Sequence, residues 1–409
     1  MYLRSVSLSI SFWFSIITGL FAALSASAQD RAGDLAAALA ATPAGAVLSL
    51  PGGDWGVLRL GDTAPGTIRS EDPSDPARFS GMDLRDVHDL TLEGLTFQYT
   101  WSPEDPLHVS PFSIQNSRDI RLRDLEIAGD VARSGAATDR GYPWGIGLSI
   151  RGGSDIVLED SRIHAFHRGV SFRETDRTIV RRNDLYGLRS DGMNFIAPQD
   201  LLVESNRIHD FDRSVDSSDH ADMIQFWTNK TDRPGTDIVI RGNLLNVGDG
   251  AFTQSIFMRN EEVDSGRAGR EMFYRNVTIE ENLIINAHLH GITVGEVDGL
   301  RIRSNTLVQN PAAAGGDPTK EQWRPIIRVS KASRDVVVQG NIAAGFPEPR
   351  QGWRIDSNVI AQPFERMSEG YYDQIFAGHP TQNPTDPARY APLSGGPADR
   401  PGIGVGWLR

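Results

Sequence analysis

The stretch DSSDHADMIQFWTNK, from Asp216 to Lys230, concentrates side chains that can transfer protons or bind a charged substrate. Its histidine, His220, has an ordinary pKa of about 6.5 and can act as a general base near neutral pH. Lys230 can act as a base when burial or a neighbouring cation lowers its pKa, a change that arginine rarely undergoes. The chain uses lysine sparingly, at three positions among 41 basic residues. We therefore predict that this stretch contains the active centre.

The chain around this stretch repeats one short strand pattern. Segments such as DLTLEGLTF from Asp89, DIVIRGNLL from Asp237 and GLRIRSNTL from Gly299 alternate apolar and polar residues, which is typical of strands. Six repeats carry an asparagine at the same place, with spacings of 23, 37, 39, 23 and 36 residues: Asn183, Asn206, Asn243, Asn282, Asn305 and Asn341. A coil this short cannot bury a core unless it stacks on its neighbours. The repeat therefore predicts an all-β fold, a single-stranded right-handed parallel β-helix, in which the asparagines form a structural ladder of turns.

Composition divides the chain into three parts. Residues 1–28 are predicted to be a signal peptide, because Arg4 precedes an apolar run that ends in small residues. Residues 29–346 are predicted to form the β-helix, with a short N-terminal helical cap over its first coil. Residues 347–409 lose the repeat and are expected to be an irregular tail that packs on the β-helix. We expect the mature protein to be periplasmic or secreted, monomeric and without a membrane anchor.

A second set of strands follows the asparagine turns and presents two rows of outward residues at matching positions. The first row is Ser149, Ser171, Asn194, Gln225, Phe257 and Thr293, and the second is Arg151, Arg173, Ile196, Trp227, Arg259 and Gly295. An outward tryptophan is usually covered by a ligand or by another part of the protein. The arginines and Trp227 therefore predict a binding groove, with an acidic polysaccharide as the partner. The net charge of −12 argues against nucleic acid, but a locally basic groove still attracts an acidic polymer.

Polar and titratable groups on this groove surround the Asp216–Lys230 stretch. The candidate catalytic residues are Lys230, Arg259, His220 and Asp222, and the candidate substrate-binding residues are Asp191, Asn194, Gln225, Trp227, Arg173, Arg151, His290 and Glu296. Arg259, Arg173, Asn194 and Gln225 can offer positive charge or hydrogen-bond donors to negative charge on a ligand. His220 competes with Lys230 for the role of base.

The repeat, the helical cap and the extended tail resemble the pectate-lyase-like β-helix superfamily. The TNKT segment at 228–231, followed one coil later by the outward Arg259, is similar to the motif of the chondroitinase B and alginate lyase family. The resemblance implies that Lys230 is the base and that Arg259 is its acid partner. That family also places acidic calcium ligands on the strand before the lysine, where this chain has neutral residues. Calcium therefore stays open: either none binds, or Asp222 and neighbouring acids bind it differently.

The predicted activity is that of a polysaccharide lyase that cleaves a uronate-containing polymer by β-elimination. Three alternatives stay open at this point. A glycoside hydrolase would use Asp191 and Asp222, on adjacent coils, as its pair of carboxylates. A uronate C5-epimerase shares the first proton transfer, and DHAD at 219–222 is similar to the Asp/His sites of β-helix alginate epimerases. A non-catalytic polysaccharide-binding protein would use the same groove without chemistry.

Overall fold

The computed structural model describes residues 31–62, 64–310, 313 and 323–409. The predicted signal peptide and most of the loop between Gln309 and Arg324 lie outside the described residues. Within the described part of the chain, no helix is long and apolar enough to cross a membrane.

Short strands make up most of the described chain. The first are β1 (Val47–Leu50), β2 (Gly53–Asp54), β3 (Val57–Leu60), β4 (Thr67–Ser70), β5 (Ala77–Phe79), β6 (Gly81–Arg85), β7 (His88–Glu93), β8 (Thr96–Gln98), β9 (Phe112–Arg123), β10 (Glu126–Ala128), β11 (Asp130–Val131) and β12 (Pro143–Trp144). They are followed by β13 (Ile146–Glu159), β14 (Arg162–His164), β15 (Arg168–Arg173), β16 (Asp176–Arg181), β17 (Asp184–Tyr186), β18 (Met193–Ile196), β19 (Gln199–Glu204), β20 (Arg207–His209), β21 (Asp222–Trp227), β22 (Thr236–Arg241), β23 (Leu244–Asn246) and β24 (Gln254–Met258). The last are β25 (Tyr274–Glu280), β26 (Leu283–Asn286), β27 (His290–Val294), β28 (Val297–Arg303), β29 (Thr306–Gln309), β30 (Ile326–Val329), β31 (Arg334–Gln339), β32 (Ile342–Ala343), β33 (Trp353–Asp356) and β34 (Val359–Ile360). The α-helices are α1 (Ala32–Ala41), α2 (Glu261–Asp264) and α3 (Tyr372–Ile375), and 3-10 turns lie at Arg270–Met272, Pro387–Tyr390 and Gly406–Leu408.

The strands stack in parallel from coil to coil and form a parallel β-helix. Among the described strands, 20 belong to one continuous sheet and 12 to a second, while β11 pairs antiparallel with β12. Inward side chains such as Leu148, Val170 and Phe195 are buried in one continuous core, because alternate residues of a strand point to the same face. The predicted all-β, parallel β-helical fold is confirmed.

The recurring asparagines form a hydrogen-bonded ladder through the turns. Nδ2 of Asn183 donates to Oδ1 of Asn206 at 3.0 Å, and the same bond joins each asparagine to the next as far as Asn341. Each amide also donates to a carbonyl oxygen of the preceding coil, as Asn206 does to Val180 at 2.9 Å. Since these asparagines are buried, the bonds satisfy polar groups whose burial would otherwise destabilise the fold.

The N-terminal end of the column is covered by helix α1. Leu35 of this helix is buried in the same core as Leu48 and Leu50 of β1. A covered end removes the free strand edge at which another chain could pair. This is the predicted helical cap.

The β-helix continues beyond residue 346, where the sequence pattern predicted its end. Strand β33 pairs with β31, and β34 pairs with β32. Asn341 donates to Asn358 at 3.0 Å, so the ladder gains one more member. The predicted boundary was wrong because this coil is short, with a spacing of only 17 residues from Asn341 to Asn358.

The remaining tail packs along the outside of the 12-stranded sheet. Tyr372, Phe376 and Tyr390 are buried in a second apolar cluster with side chains of β26, β29 and β32. The end of the tail bonds to successive coils, since the backbone N–H of Val405 donates to Oγ1 of Thr306 at 3.1 Å. The backbone N–H of Gly406 also donates to Oε2 of Glu281, and Nδ2 of Asn246 donates to the carbonyl oxygen of Thr385.

Candidate active site

The Asp216–Lys230 stretch forms strand β21 and the loop that leads into it. Strand β21 lies between β18 and β24 in parallel register, and neighbouring coils lie about 4.8 Å apart. The register brings Arg168, Asp191 and Asp222 onto adjacent coils, at the beginnings of β15, β18 and β21. These three side chains and His220 form a cluster of charged groups.

Asp222 and His220 form a hydrogen-bonded pair. Nδ1 of His220 lies 3.0 Å from Oδ2 of Asp222, and the side chain of His220 is 60% exposed while that of Asp222 is fully buried. Burial raises the pKa of Asp222 to about 7, although the hydrogen bond from His220 opposes this shift. The same hydrogen bond raises the pKa of His220. Because Nδ1 is engaged by Asp222, Nε2 is the ring nitrogen that a ligand can reach.

Asp191 is a fully buried carboxylate held from several directions. Its Oδ1 accepts hydrogen bonds from the backbone N–H of Asp222 at 3.2 Å and from Oγ of Ser190 at 3.3 Å. Its Oδ2 accepts from Nδ2 of Asn194 at 3.2 Å, and Nε of Arg168 lies 3.0 Å from it. With both oxygens occupied, Asp191 is suited to orient its neighbours as a fixed negative charge.

The same cluster brings together groups that can hold a cation. An oxygen of Asp191, a nitrogen of His220 and an oxygen of Asp222 all lie within 4.8 Å of one another. Calcium, however, takes about six to eight oxygen ligands in a flexible shell. The oxygens of Asp191 are already bonded to protein donors and His220 offers nitrogen, so this set does not fit calcium. We assign no step to a metal ion.

A buried arginine holds the loop that carries His220. The side chain of Arg189 is 2% exposed, and its Nη2 lies 2.8 Å from carboxylate oxygens of both Asp139 and Asp219. Asp219 directly precedes His220 in the chain, and Asp139 lies in the loop before β12. Arg189 therefore ties two inserted loops to the column, and a planar guanidinium suits such a role because it donates in several fixed directions.

Two further arginines act electrostatically on the pair. The guanidinium of Arg213 donates to the carbonyl oxygens of Phe252 at 2.9 Å and Asp219 at 3.1 Å, and its charge favours the ionised form of Asp222. The side chain of Arg168 is 20% exposed and lies 5.7 Å from the centre of the Trp227 ring. Arg168 is therefore a cation that a ligand beside Trp227 can contact.

The predicted outward rows are in register, but the residues in the middle of the rows are largely buried. Asn194 is fully buried and Gln225 is nearly so, whereas Trp227 is half-buried beneath Arg168. Strand alternation fixes the direction in which a side chain points, and it does not say which other segments lie over it. Neither Asn194 nor Gln225 offers a free surface to a polymer without movement of its neighbours.

The arginines of the earlier coils are more accessible. Arg151 and Arg173 are register partners on β13 and β15. Arg151 is exposed, and Nη1 of Arg173 lies 3.4 Å from Glu174. Arg151 and Arg173 thus place two cations on adjacent coils of this face.

Lys230 and His220 lie at opposite ends of β21, so the four candidate catalytic residues do not form one cluster. The strand has six residues, which corresponds to about 20 Å at a rise of about 3.3 Å per residue. The turn around Lys230 is held by the next coil: Lys230 N–H donates to Glu262 at 2.7 Å, and Thr228 N–H donates to Glu261 at 2.8 Å. The lysine side chain is exposed.

Arg259, His290 and Glu296 meet at a separate depression of about 370 Å³. Arg259 pairs there with Asp264 at 3.1 Å, and Glu296 accepts a hydrogen bond from Oγ of Ser330 at 2.7 Å. Burial lowers the pKa of His290 to about 4, so its imidazole is neutral at neutral pH. The sequence-predicted residues therefore fall into two groups, one around His220 and one on the coils that follow.

Sequence reasoning missed Arg168 and Arg189. A signal for Arg168 exists, because the register that pairs Val170 with Met193 also places Arg168 beside Asp191, two residues earlier on each coil. Arg189 has no comparable signal. Its partners, Asp139 and Asp219, come from inserted loops, whose path the strand period does not determine.

Comparison with known families supports the fold. A family model described as the right handed beta helix region matches residues 86–243 of this chain. No curated protein sequence matches the chain.

Solved structures similar to this chain are also β-helical. The Dettilon tailspike protein gp208 is 13% identical with a TM-score of 0.49, over 78% of this chain and 56% of that one. This chain thus spans only about half of the tailspike's length. An A-module of an Azotobacter vinelandii mannuronan C-5 epimerase is 11% identical with a TM-score of 0.45, over 82% and 97%. An alginate lyase, AlyF-OU02 in complex with G6, is 13% identical with a TM-score of 0.44, over 83% and 78%. At these identities the likeness concerns the fold alone.

Proposed function

We propose that this protein is an exported enzyme that removes the proton α to a carboxylate in a uronate-containing polysaccharide and cleaves the polymer by β-elimination. The observation that carries the proposal is the His220–Asp222 pair: an exposed imidazole is held through Nδ1 at 3.0 Å by a fully buried carboxylate. Such an arrangement leaves Nε2 as a base of fixed orientation, and the carboxylate stabilises the imidazolium that forms.

The neighbouring charges suit this chemistry. Removal of the α-proton places additional negative charge on the substrate carboxylate, which a nearby cation must stabilise. Arg168 is the candidate for that contact, because its side chain is partly exposed. The guanidinium of Arg213 is already occupied by two carbonyl oxygens, so it contributes through its charge rather than through direct contact.

The reaction balances without a further reactant. Nε2 of His220 takes the C5 proton, and the electrons of that C–H bond form a C4–C5 double bond. The bond from C4 to the glycosidic oxygen breaks, and the departing oxygen takes a proton from the imidazolium or from water. The products are one new chain end and one unsaturated uronate, which absorbs ultraviolet light.

The first test is a screen of acidic polymers: alginate, polygalacturonate, hyaluronan, chondroitin sulfate and bacterial exopolysaccharides. We expect ultraviolet absorbance to grow with wild-type protein on at least one polymer and to vanish with His220→Gln. Lys230→Ala serves as the matched comparison, because the family resemblance assigns the base to that residue. A flat trace with wild type on every polymer would contradict the lyase proposal.

One observation favours a glycoside hydrolase as the second candidate. Asp191 and Asp222 are neighbouring carboxyls with oxygens within 4.8 Å, and burial raises the pKa of Asp222 to about 7, as a general acid requires. Against this, Asp191 is bonded on both oxygens and both side chains are buried. New reducing ends without ultraviolet absorbance would select the hydrolase. A changed uronate composition without cleavage would select an epimerase, which shares the first proton transfer.

A further inference from the structure

The depression on the coils of β27 and β30 lies further along the column than His220, on the same outward face of the strands. Register extends the outward row of Gln225 through Phe257 and Thr293 to Arg328. These are three coil steps, or about 14 Å at about 4.8 Å per coil. A ligand that reaches from His220 to Arg328 must therefore be longer than one sugar ring.

Two of the three cations lining this depression lack a carboxylate partner. Arg259 pairs with Asp264, whereas Arg328 and Lys331 line the depression as exposed side chains. Among the described residues, neither has a carboxylate within ion-pair distance. This differs from the rest of the surface, where most arginines of this acidic chain are paired, as Arg177 is with Asp155 at 2.7 Å.

Glu296, which lines the same depression, does not neutralise these cations by contact. Oε1 of Glu296 accepts a hydrogen bond from Ser330 at 2.7 Å, and Oε2 is buried. Phe257 and His290 also line the depression. The rings of Phe257 and His290 lie 4.9 Å apart, and burial lowers the pKa of His290 to about 4. The depression therefore combines a ring-lined wall with two exposed positive charges.

We infer that this depression is a second binding subsite for the polymer, which takes a sugar bearing a negatively charged group, a carboxylate or a sulfate ester. The inference rests on the proposed function for its substrate class. Arg328 and Lys331 bind the anionic group by charge-assisted hydrogen bonds, and the Phe257 and His290 rings contact the sugar. The subsite makes the enzyme select polymers charged at a sugar downstream of the reacting one.

The test measures binding in the His220→Gln background, so that cleavage does not disturb the equilibrium. Alginate and hyaluronan carry carboxylates, chondroitin sulfate adds sulfate esters, and dextran is the neutral control. The variants are Arg328→Ala with Lys331→Ala, Arg328→Lys, and Arg334→Ala as an exposed cation outside the depression. Melting temperatures equal to that of the background verify that each variant is folded.

We expect the double alanine variant to bind the tightest acidic polymer about tenfold more weakly, with a smaller dependence on salt, as the loss of charged contacts requires. Arg328→Lys should retain most of the binding, and Arg334→Ala should match the background. Weaker binding of hyaluronan by the double alanine variant identifies the bound group as a carboxylate. Weaker binding confined to chondroitin sulfate identifies it as a sulfate ester. Equal affinity in the double alanine variant and the background would overturn the subsite, as would absence of binding to every acidic polymer.

The subsite and the lyase proposal fail in different ways. Binding that depends on Arg328 and Lys331, together with a flat ultraviolet trace for wild type, would support the subsite and contradict the lyase. Ultraviolet absorbance that requires His220, together with binding that does not depend on Arg328 and Lys331, would support the lyase and contradict the subsite.

Discussion

Two buried polar systems cross the same coils, and they differ in how completely their hydrogen bonds are made. In the asparagine ladder, Asn243 donates to both Val203 and Asn282 and accepts from the backbone and side chain of Asn206. Around His220, by contrast, Oδ1 of Asp222 and Oδ1 of Asn194 are buried without a partner among the described residues. A fully bonded network stabilises a fold, whereas unpartnered buried groups destabilise it unless function retains them. The ladder is thus suited to stabilise the fold, and the His220 cluster is where we place the proposed chemistry.

The largest effect is expected from His220→Gln, which removes the base and keeps a side chain of similar size. Turnover should fall about a thousandfold, the range that general base catalysis contributes, and the melting temperature should stay close to that of wild type. Steady-state rates and thermal melts on the same preparations check this. A large drop in melting temperature would mean that the cluster is a structural element like the ladder.

Asn243→Ala should lower the stability of the protein and change turnover little, which is the opposite of the result expected for His220→Gln. The substitution leaves buried donors of Asn206 without acceptors, and we expect the free energy of unfolding to fall by about 3 kcal/mol. Denaturant melts measure this loss, with Asn229→Ala as the control because Asn229 is an exposed asparagine. Turnover per folded molecule should change little. Equal stability of the two variants would contradict the structural role of the ladder.

The pH dependence should sharpen the distinction further. The hydrogen bond to Asp222 raises the pKa of His220, and burial raises that of Asp222 to about 7. A neutral imidazole beside an ionised Asp222 therefore predominates only above neutral pH, so turnover should rise as the pH increases past about 7. In Asp222→Asn the cause of the raised pKa of His220 is gone. The remaining activity should be lower, and its rise should begin at a lower pH.

The smallest effect is expected from Lys230→Ala. The backbone N–H of Lys230 holds the turn, while its exposed side chain lies at the other end of β21 from His220, so we expect turnover within about twofold of wild type. Loss of activity in this variant, with activity retained in His220→Gln, would move the base to Lys230. That outcome would support the family resemblance over the His220 centre.

The repeat made the fold predictable, because an asparagine at the same place in six coils aligns the strands of those coils. The same register placed Asp191 and Asp222 on adjacent coils and His220 beside them. It failed for Lys230, since nearness in sequence along an extended strand corresponds to a large distance in space. The repeat also did not predict the position of Arg189, because its partners come from loops. It did not predict the last coil, because that coil is shorter than the others and its asparagine, Asn358, was therefore not recognised.

The C-terminal tail changes how the last coils of the β-helix unfold. In a simple solenoid each coil contacts only its neighbours, so an end coil can detach while the rest stays folded. Here Tyr372 and Tyr390 pack across several coils, and Thr306 and Glu281 bond to the last residues of the chain. The tail therefore links these coils to one another. We expect that the final coil cannot detach until the tail has been released, and that the coils beneath the tail unfold together.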